Sequence, residues 1–529
     1  MKKLTDLALS ILEDRYLWKD KNGRVIETPE QMFRRVAHFV ASGEEKPENF
    51  KKYEEEFFNI MSNLDFLPNS PTLMNAGRPF PHGQLSACFV VDVPDSMEGI
   101  CGALRKQMLI HKSGGGTGFN FSKLRAEGSQ VNSTNGCASG PVSFMRLFDL
   151  STDIVQQGGM RRGANMAVLN VDHPDIRKFI HCKDKDGDIK NFNLSVGLTD
   201  AFMEKATSPV TTPEYRLLME IAESAWRTGD PGVVFLDTME RANPTPELGK
   251  LDATNPCGEQ PLLPNEACNL GSINLVNMLK KDARGRYVID FDKLKRTVHI
   301  AVRFLSDVIE VNQYPLPEIA EAVRKTRKIG LGVMGYAHML YYLGIPYDST
   351  VALNTLEQIM RTIKVAARCY AEQVLNDRPK HTALTCIAPT GTLSLIAGVS
   401  SGIEPVFALH HERTVLDHSG GSHTVTIYDS AYEDIVTNDL LSWLSPDEQE
   451  NVYKTAYTFS PYWHIATQAV AQKYCDAGVS KTVNMPNTAT VADIFEVYVH
   501  AWESGCKGTT VYRDGSKTSQ VLKCPECVI

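Results

Sequence analysis

The chain has 529 residues, 43% of them hydrophobic and 22% charged, with a formal net charge of −8. That is an ordinary globular composition, long enough for several domains or for one large α/β barrel. The acidic balance points away from nucleic acid and anionic membranes as partners, and no apolar run is long enough to span a bilayer.

The first residues, MKKLTDLALSILEDRYLW, start basic but acquire Asp6, Glu13 and Asp14 within one helical pattern. This is an amphipathic helix and not a secretory signal, so a cytoplasmic protein is expected. Residues 1–65 keep helical spacing, with a turn at Asp20–Gly23, and are expected to form a helical N-terminal region. From Leu67 the texture changes. NSPTLMNAG (Asn69–Gly77) is a turn followed by small and polar residues, and a short buried strand is expected at Cys88–Val93. Beside Phe-Val-Val, Cys88 on its own reads as core.

HKSGGGTGFNFSKLR (His111–Arg125) is the most glycine-dense stretch. It lacks both the P-loop and the Rossmann spacing. Its glycines allow close approach of a ligand or of another backbone, and a tight structural turn fits equally well. Lys112 and Arg125 flank it as candidate phosphate binders. A helix over Pro141–Val155 leads into a second glycine-rich loop, Gln156–Asn165, which carries Arg161 and Arg162; a strand over Met166–Val171 leaves it. Gly232–Asp237 reads as another strand.

NPCGEQPLLPNEACN (Asn255–Asn269) concentrates chemistry. Asn255, Cys257 and Glu259 alternate, and the prolines favour extended backbone, so the three side chains are expected on one face. An amide, a thiol and a carboxylate gain little from burial alone but make a donor, a sulfur nucleophile or radical carrier, and a base. The competing reading is a proline-rich loop with an inert cysteine. Lys328–Leu340 reads as a turn into a small-residue helix, and 351–376 as a long amphipathic helix. In Ala388–Pro405, Thr390, Thr392 and Ser394 surround Gly391 before an apolar run, either as a phosphate cradle or as a plain helix cap. Twelve cysteines are thinly spread, and only Cys524 and Cys527 form a close CxxC. That is half a zinc site at most, so no metal site is expected, and its place after the polar stretch Asp514–Lys523 favours a mobile redox dithiol.

Taken in order, NSPTLMNAG, SACFV, KSGGGTG, QGGMRRGAN, NPCGEQPL with Cys268, PTGTLS and GCKGTTVYRDGS resemble the catalytic subunit of ribonucleotide reductase from about residue 65 onward. The resemblance implies a ten-stranded α/β barrel built from two five-stranded halves over 66–513, with a central finger loop carrying Cys257. The helical region 1–65 precedes it and a flexible tail, 514–529, follows. Periodicity alone does not yield a closed barrel. By the same resemblance Cys257 would be the thiyl radical that takes the substrate 3′-hydrogen, Glu259 would accept the 3′-hydroxyl proton, and Asn255 would hold the ribose. Cys88 and Cys268 would protonate the leaving 2′-hydroxyl and reduce the ribose, closing as a disulfide. Cys524 and Cys527 would reopen it for a thioredoxin-like reductant. Thr72, Ala87 and Gly116 would line the substrate site, and Pro389, Thr390, Gly391, Thr392 and Leu393 would cradle its phosphates. A dNTP or ATP effector would sit against Asp95, Ser96, Met97, Lys112 and Arg125, with Gln157 and Arg161 on the reporting loop, at a homodimer interface. The family core begins almost at once, so specificity control is expected without an overall on/off domain.

The aerobic two-protein class needs adjacent tyrosines where this chain has Val511-Tyr512, and Arg513–Ser516 is a poor glycyl-radical motif. GTTVYRDGS looks most like the adenosylcobalamin-dependent class. A class I-type subunit with a separate metal-containing partner is the alternative, and an inactive nucleotide-binding scaffold is a more remote one. The five intact residues Asn255, Cys257, Glu259, Cys88 and Cys268 speak against that last reading.

Overall fold

The structure, a computed structural model, describes residues 1–78, 83–131, 135–155, 163–185, 187–375, 378–416 and 422–516. The expected reporting loop (Gln157, Arg161) and redox tail (Cys524, Cys527) lie outside the described residues.

Three helices, Asp6–Arg15, Pro29–Ala41 and Pro47–Ser62, form the N-terminal region. Their starts follow from local chemistry. Thr28 and Gln31 close a capping box, and Pro29 and Pro47 occupy first helical positions, where a missing N–H costs nothing. Asp20 closes the turn between the first two, its side chain accepting from Asn22 and Arg24 N–H. The second helix buries Met32, Phe33, Val36 and Val40 on one stripe and packs on the long helix Phe291–Val311. That contact also buries an ionic cluster in which Arg303 pairs with Glu44, and Arg378 with Asp307 at 2.5 Å.

Five parallel strands follow: Cys88–Val90, Gly116–Asn120, Asn165–Asn170, Phe192–Leu198 and Gly232–Phe235. Helices connect them, as parallel neighbours require. A second set comprises Ala267–Asn274, Ile329–Met334, Thr482–Met485 and Gly508–Arg513, within a sheet of ten hydrogen-bonded strands. Parallel bridges Leu331↔Thr385 and Ile387↔Val479 insert residues 385–387 between Ile329–Met334 and the chain entering Thr482–Met485. The halves meet antiparallel at two seams, Cys88↔Cys268 and Val234↔Gly508, which close the ring. Phe66–Pro68 adds outside, along Ala267–Asn274.

Three expectations need correction. Lys328–Leu340 is a strand, Ile329–Met334, before its helix Tyr336–Leu343. Both faces of that strand are buried, so it shows no alternation, and its glycines serve packing: a Cβ on Gly332 would stand 2.3 Å from the Cys386 carbonyl. Gly232–Asp237 stops as a strand at Phe235, where the helix Leu236–Arg241 begins. Asn255–Glu259 is a turn and not an extended segment: Ala253–Thr254 pairs with Pro261–Leu262, and the chain between them projects into the barrel as a finger.

Candidate active site

The finger fits because the neighbouring strand lacks side chains. A Cβ on Gly118 would lie 1.7 Å from the Thr254 carbonyl oxygen, and one on Gly116 would lie 2.9 Å from the Pro256 ring. The glycine-rich stretch thus admits the finger, with backbone at Gly118 and the Pro256 ring at Gly116, and Gly116 also lines the cavity beside it. At the finger base Asn255 N–H donates to the Gln260 carbonyl at 3.1 Å, and Gln260 N–H returns to Asn255 Oδ1 at 3.0 Å. The second bond orients the amide, whose Nδ2 then donates to Cys88 Sγ at 3.1 Å. Cys88 Sγ is 3.8 Å from Glu259 Oε1. The turn thus brings Asn255 and Glu259 to the Cys88 thiol, whereas the alternation had grouped them with Cys257 on one face of an extended segment.

Cys268 lies directly opposite Cys88 across the seam. Direct antiparallel partners have Cα atoms about 4.5–5.5 Å apart, inside the disulfide window. Burial, then the Glu259 charge, pushes Cys88 well above an ordinary thiol. Burial and Glu266 push Cys268 up as well, against the opposing pull of Lys328. Both therefore keep their protons through neutrality.

Asn255, Glu259, Cys88, Ala87 and Gly116 line a cavity of about 280 Å³ together with Pro389–Leu393. Thr390 holds a left-handed φ of 56°, and its hydroxyl accepts from Gly402 N–H at 2.8 Å instead of capping its own helix. Thr72, expected on the wall, turns inward: its hydroxyl bonds Asn69 Oδ1 and the Leu85 carbonyl, and Asn69, Ser70 and Met74 line the cavity instead. Sequence reasoning also missed Arg15 and Tyr16 at the rim, which only the docking of the first helix reveals. Cys257, exposed at the finger tip, also lines a second cavity of about 440 Å³, with Ser195, Asn484, Thr510 and Tyr512 among its walls. One thiol borders both chambers.

Comparison with known families assigns both regions. Residues 2–81 match the ribonucleotide reductase all-alpha domain, and residues 86–215, 208–378 and 371–512 match the ribonucleotide reductase barrel domain. The chain belongs to the ribonucleotide reductase family. It is 42% identical to a vitamin B12-dependent ribonucleoside-diphosphate reductase of Thermoplasma acidophilum, over 98% of this chain and 80% of that protein. It is 43% identical to one of the same description from Mycobacterium tuberculosis, over 98% of this chain and 81% of the relative. The fold resembles the class Id ribonucleotide reductase alpha subunit of Actinobacillus ureae, with a TM-score of 0.78 over 97% of each chain at 23% identity.

Within this reductase, the expected effector residues separate into two places. Arg125 Nε donates to Asp95 Oδ2 at 2.8 Å, and Ser96 caps the helix Met97–Lys112 through Gly99 N–H. Lys112 ends the same helix, about 22 Å from Met97 at 1.5 Å per residue, so it does not join Asp95, Ser96, Met97 and Arg125 within one chain.

Proposed function

We propose that this ribonucleotide reductase converts ribonucleoside diphosphates to 2′-deoxyribonucleotides, using adenosylcobalamin as radical source and Cys257 as the radical carrier. The observation that carries this reading is the finger tip. Cys257 borders two cavities; Asn255, Glu259 and Cys88 line the first with it, and Cys268 pairs with Cys88 across the seam. Cys257 takes the 3′-hydrogen as Glu259 accepts the 3′-hydroxyl proton. Cys88, still protonated, delivers its proton to the departing 2′-hydroxyl, which leaves as water. Cys88 and Cys268 supply the two reducing equivalents and close as a disulfide, and Cys257 returns hydrogen to C3′. A dithiol reductant then reopens the disulfide, a task assigned to Cys524 and Cys527 and a thioredoxin-like partner.

The second cavity fits the adenosyl part of the cofactor. Cys257 lines it and Glu259 does not, and its walls offer hydroxyl and amide groups (Ser195, Asn484, Thr510) and the apolar Val234, together with the charged Asp230, Glu404 and Lys481. When bound, the cofactor supplies a carbon-centred radical at that wall. The diphosphate assignment follows the names of the relatives in Thermoplasma acidophilum and Mycobacterium tuberculosis.

A homodimer is supported by an apolar face on the adjacent helices Met97–Lys112 and Pro141–Ile154, where Met97, Leu147, Leu150 and Ile154 are exposed. The effector residues Asp95–Met97 open the same face, so a dNTP bound there would meet the second copy. No helix among the described residues is long and apolar enough to cross a membrane, and a dithiol-driven cycle suits the reducing cytoplasm.

The deciding experiment is reduction of a ribonucleoside diphosphate by the purified chain with dithiothreitol and mixed dNTP effectors, with and without adenosylcobalamin. Product only with the cofactor is expected. Product that requires an added metal-containing subunit would retain the reaction and overturn the cofactor.

A further inference from the structure

The first cavity carries two opposite charges on its walls. Glu259 lies at the finger, and among the described residues that line the cavity Arg15 is the one cation. Arg15 is the last residue of the helix Asp6–Arg15, which packs on the helix Gly391–Ala397. Its backbone position is fixed from several sides. The next residue, Tyr16, is buried, with its hydroxyl 2.7 Å from Ser70 Oγ and its carbonyl accepting from the buried Arg78 guanidinium at 2.7 Å. Two residues on, Trp18 N–H donates to Glu27, and Glu27 is gripped by Arg35, which also donates to the Ala76 carbonyl. The Arg15 side chain is by contrast 53% exposed, and among the described residues its ion pair is with the still more exposed Asp14 at 3.4 Å. An exposed pair of that kind is worth little, so the guanidinium is available to a better anion.

We propose that Arg15 binds the terminal phosphate of the substrate and so reads the length of the phosphate chain. The proposal rests on the reading of this cavity as the ribonucleotide site, with the ribose at the finger and the phosphates toward Pro389–Leu393. A polyphosphate brings several negative charges into a space whose other charged wall group is the Glu259 carboxylate, and a guanidinium offers two parallel donors to phosphate oxygens. The N-terminal helical region thereby contributes a substrate-binding residue to a site otherwise built from the barrel.

The test compares the parent enzyme with Arg15→Gln and Arg15→Lys, using ribonucleoside mono-, di- and triphosphates under saturating effector. Loss of one charged hydrogen-bonding partner should raise the KM for diphosphate about tenfold in the Gln variant, with kcat within about twofold and thermal unfolding unchanged. Preference for diphosphate over monophosphate should shrink by the same factor, and Lys should restore part of both. Unchanged KM and preference in an active Gln variant would overturn the proposal, as would a fall in kcat alone. Calorimetric binding of a ribonucleoside diphosphate, with the effector site saturated by a dNTP, needs no turnover. Equal affinity of parent and Gln variant there overturns the role of Arg15, whereas failure of the parent to bind or turn over any ribonucleotide overturns the reading of the cavity itself.

Discussion

The role proposed for Cys88 depends on a proton that ordinary thiols begin to lose above neutrality. Burial and the nearby Glu259 keep it in place, which suits a group that must donate to a leaving hydroxyl. Iodoacetamide at pH 8 should therefore label the exposed Cys101, Cys137 and Cys369 while sparing Cys88 and Cys268; peptide mass spectrometry reads the pattern, and rapid labelling of Cys88 would contradict its protonated state. Cys257→Ala should abolish turnover with effector binding and unfolding temperature intact, because the proposed radical chemistry needs a sulfur at the exposed finger tip. Retained turnover would remove Cys257 from the radical role. Gly118→Ala tests how the finger is seated. The new methyl meets the Thr254 carbonyl, so activity should fall at least a hundredfold with a stability loss of about 1–3 kcal/mol, the usual range for forced overpacking. Full activity would show that the finger tolerates displacement.

Among the elements, the N-terminal helices are tied to the barrel by buried charge as well as by apolar packing. Arg303 and Glu44 are almost fully buried. Replacing Arg303 by Met leaves the Glu44 carboxylate short of its main partner and should cost about 3–5 kcal/mol in denaturant unfolding. Adding Glu44→Gln should recover much of that loss, and no recovery would mean that packing is the tie. These helices were legible in the sequence through the helical spacing of charged and apolar residues over 1–65 and the turn at Asp20–Gly23. The finger was legible as chemistry but not as shape: Pro256 and Pro261 read as extended chain, while the turn is set by the pairing of Thr254 with Pro261 and by space at Gly116 and Gly118. The strand Ile329–Met334 was hidden because burial on both faces removes the alternation that betrays a strand. Nothing local shows that Thr72 turns away from the cavity or that Arg15 reaches its rim, since both follow from how distant elements dock.

For the molecule as a whole, acid should weaken the fold through two buried histidines. Burial and the surrounding Arg327, Arg378 and Arg368 depress His381 to about 4; burial and Lys481 hold His464 well below its usual range. Both are neutral when folded and take up protons when unfolded below about pH 6.5. Stability therefore rises with pH across that window and is lost as pH falls from about 6.5 toward 4, by roughly 1 kcal/mol per pH unit for each histidine. Denaturant titrations at pH 7, 6 and 5 check the slope, and His381→Gln should flatten it. Leu150→Glu with Ile154→Glu should give a monomer by light scattering and remove dNTP control of base preference; a persistent dimer would place the interface elsewhere.

The two seams have a consequence for how the chain is made. Cys88 waits for Cys268, and Val234 waits for Gly508, so during synthesis the first half stands as an open sheet with two bare edges long before its complement exists. Such edges are templates for another copy, and pairing between residues so far apart in the chain is slow. Newly made polypeptide is thus exposed to a race between ring closure and intermolecular strand exchange. Slower translation or cooler growth should tilt that race toward soluble enzyme, and refolding yield from denaturant should fall steeply as protein concentration rises.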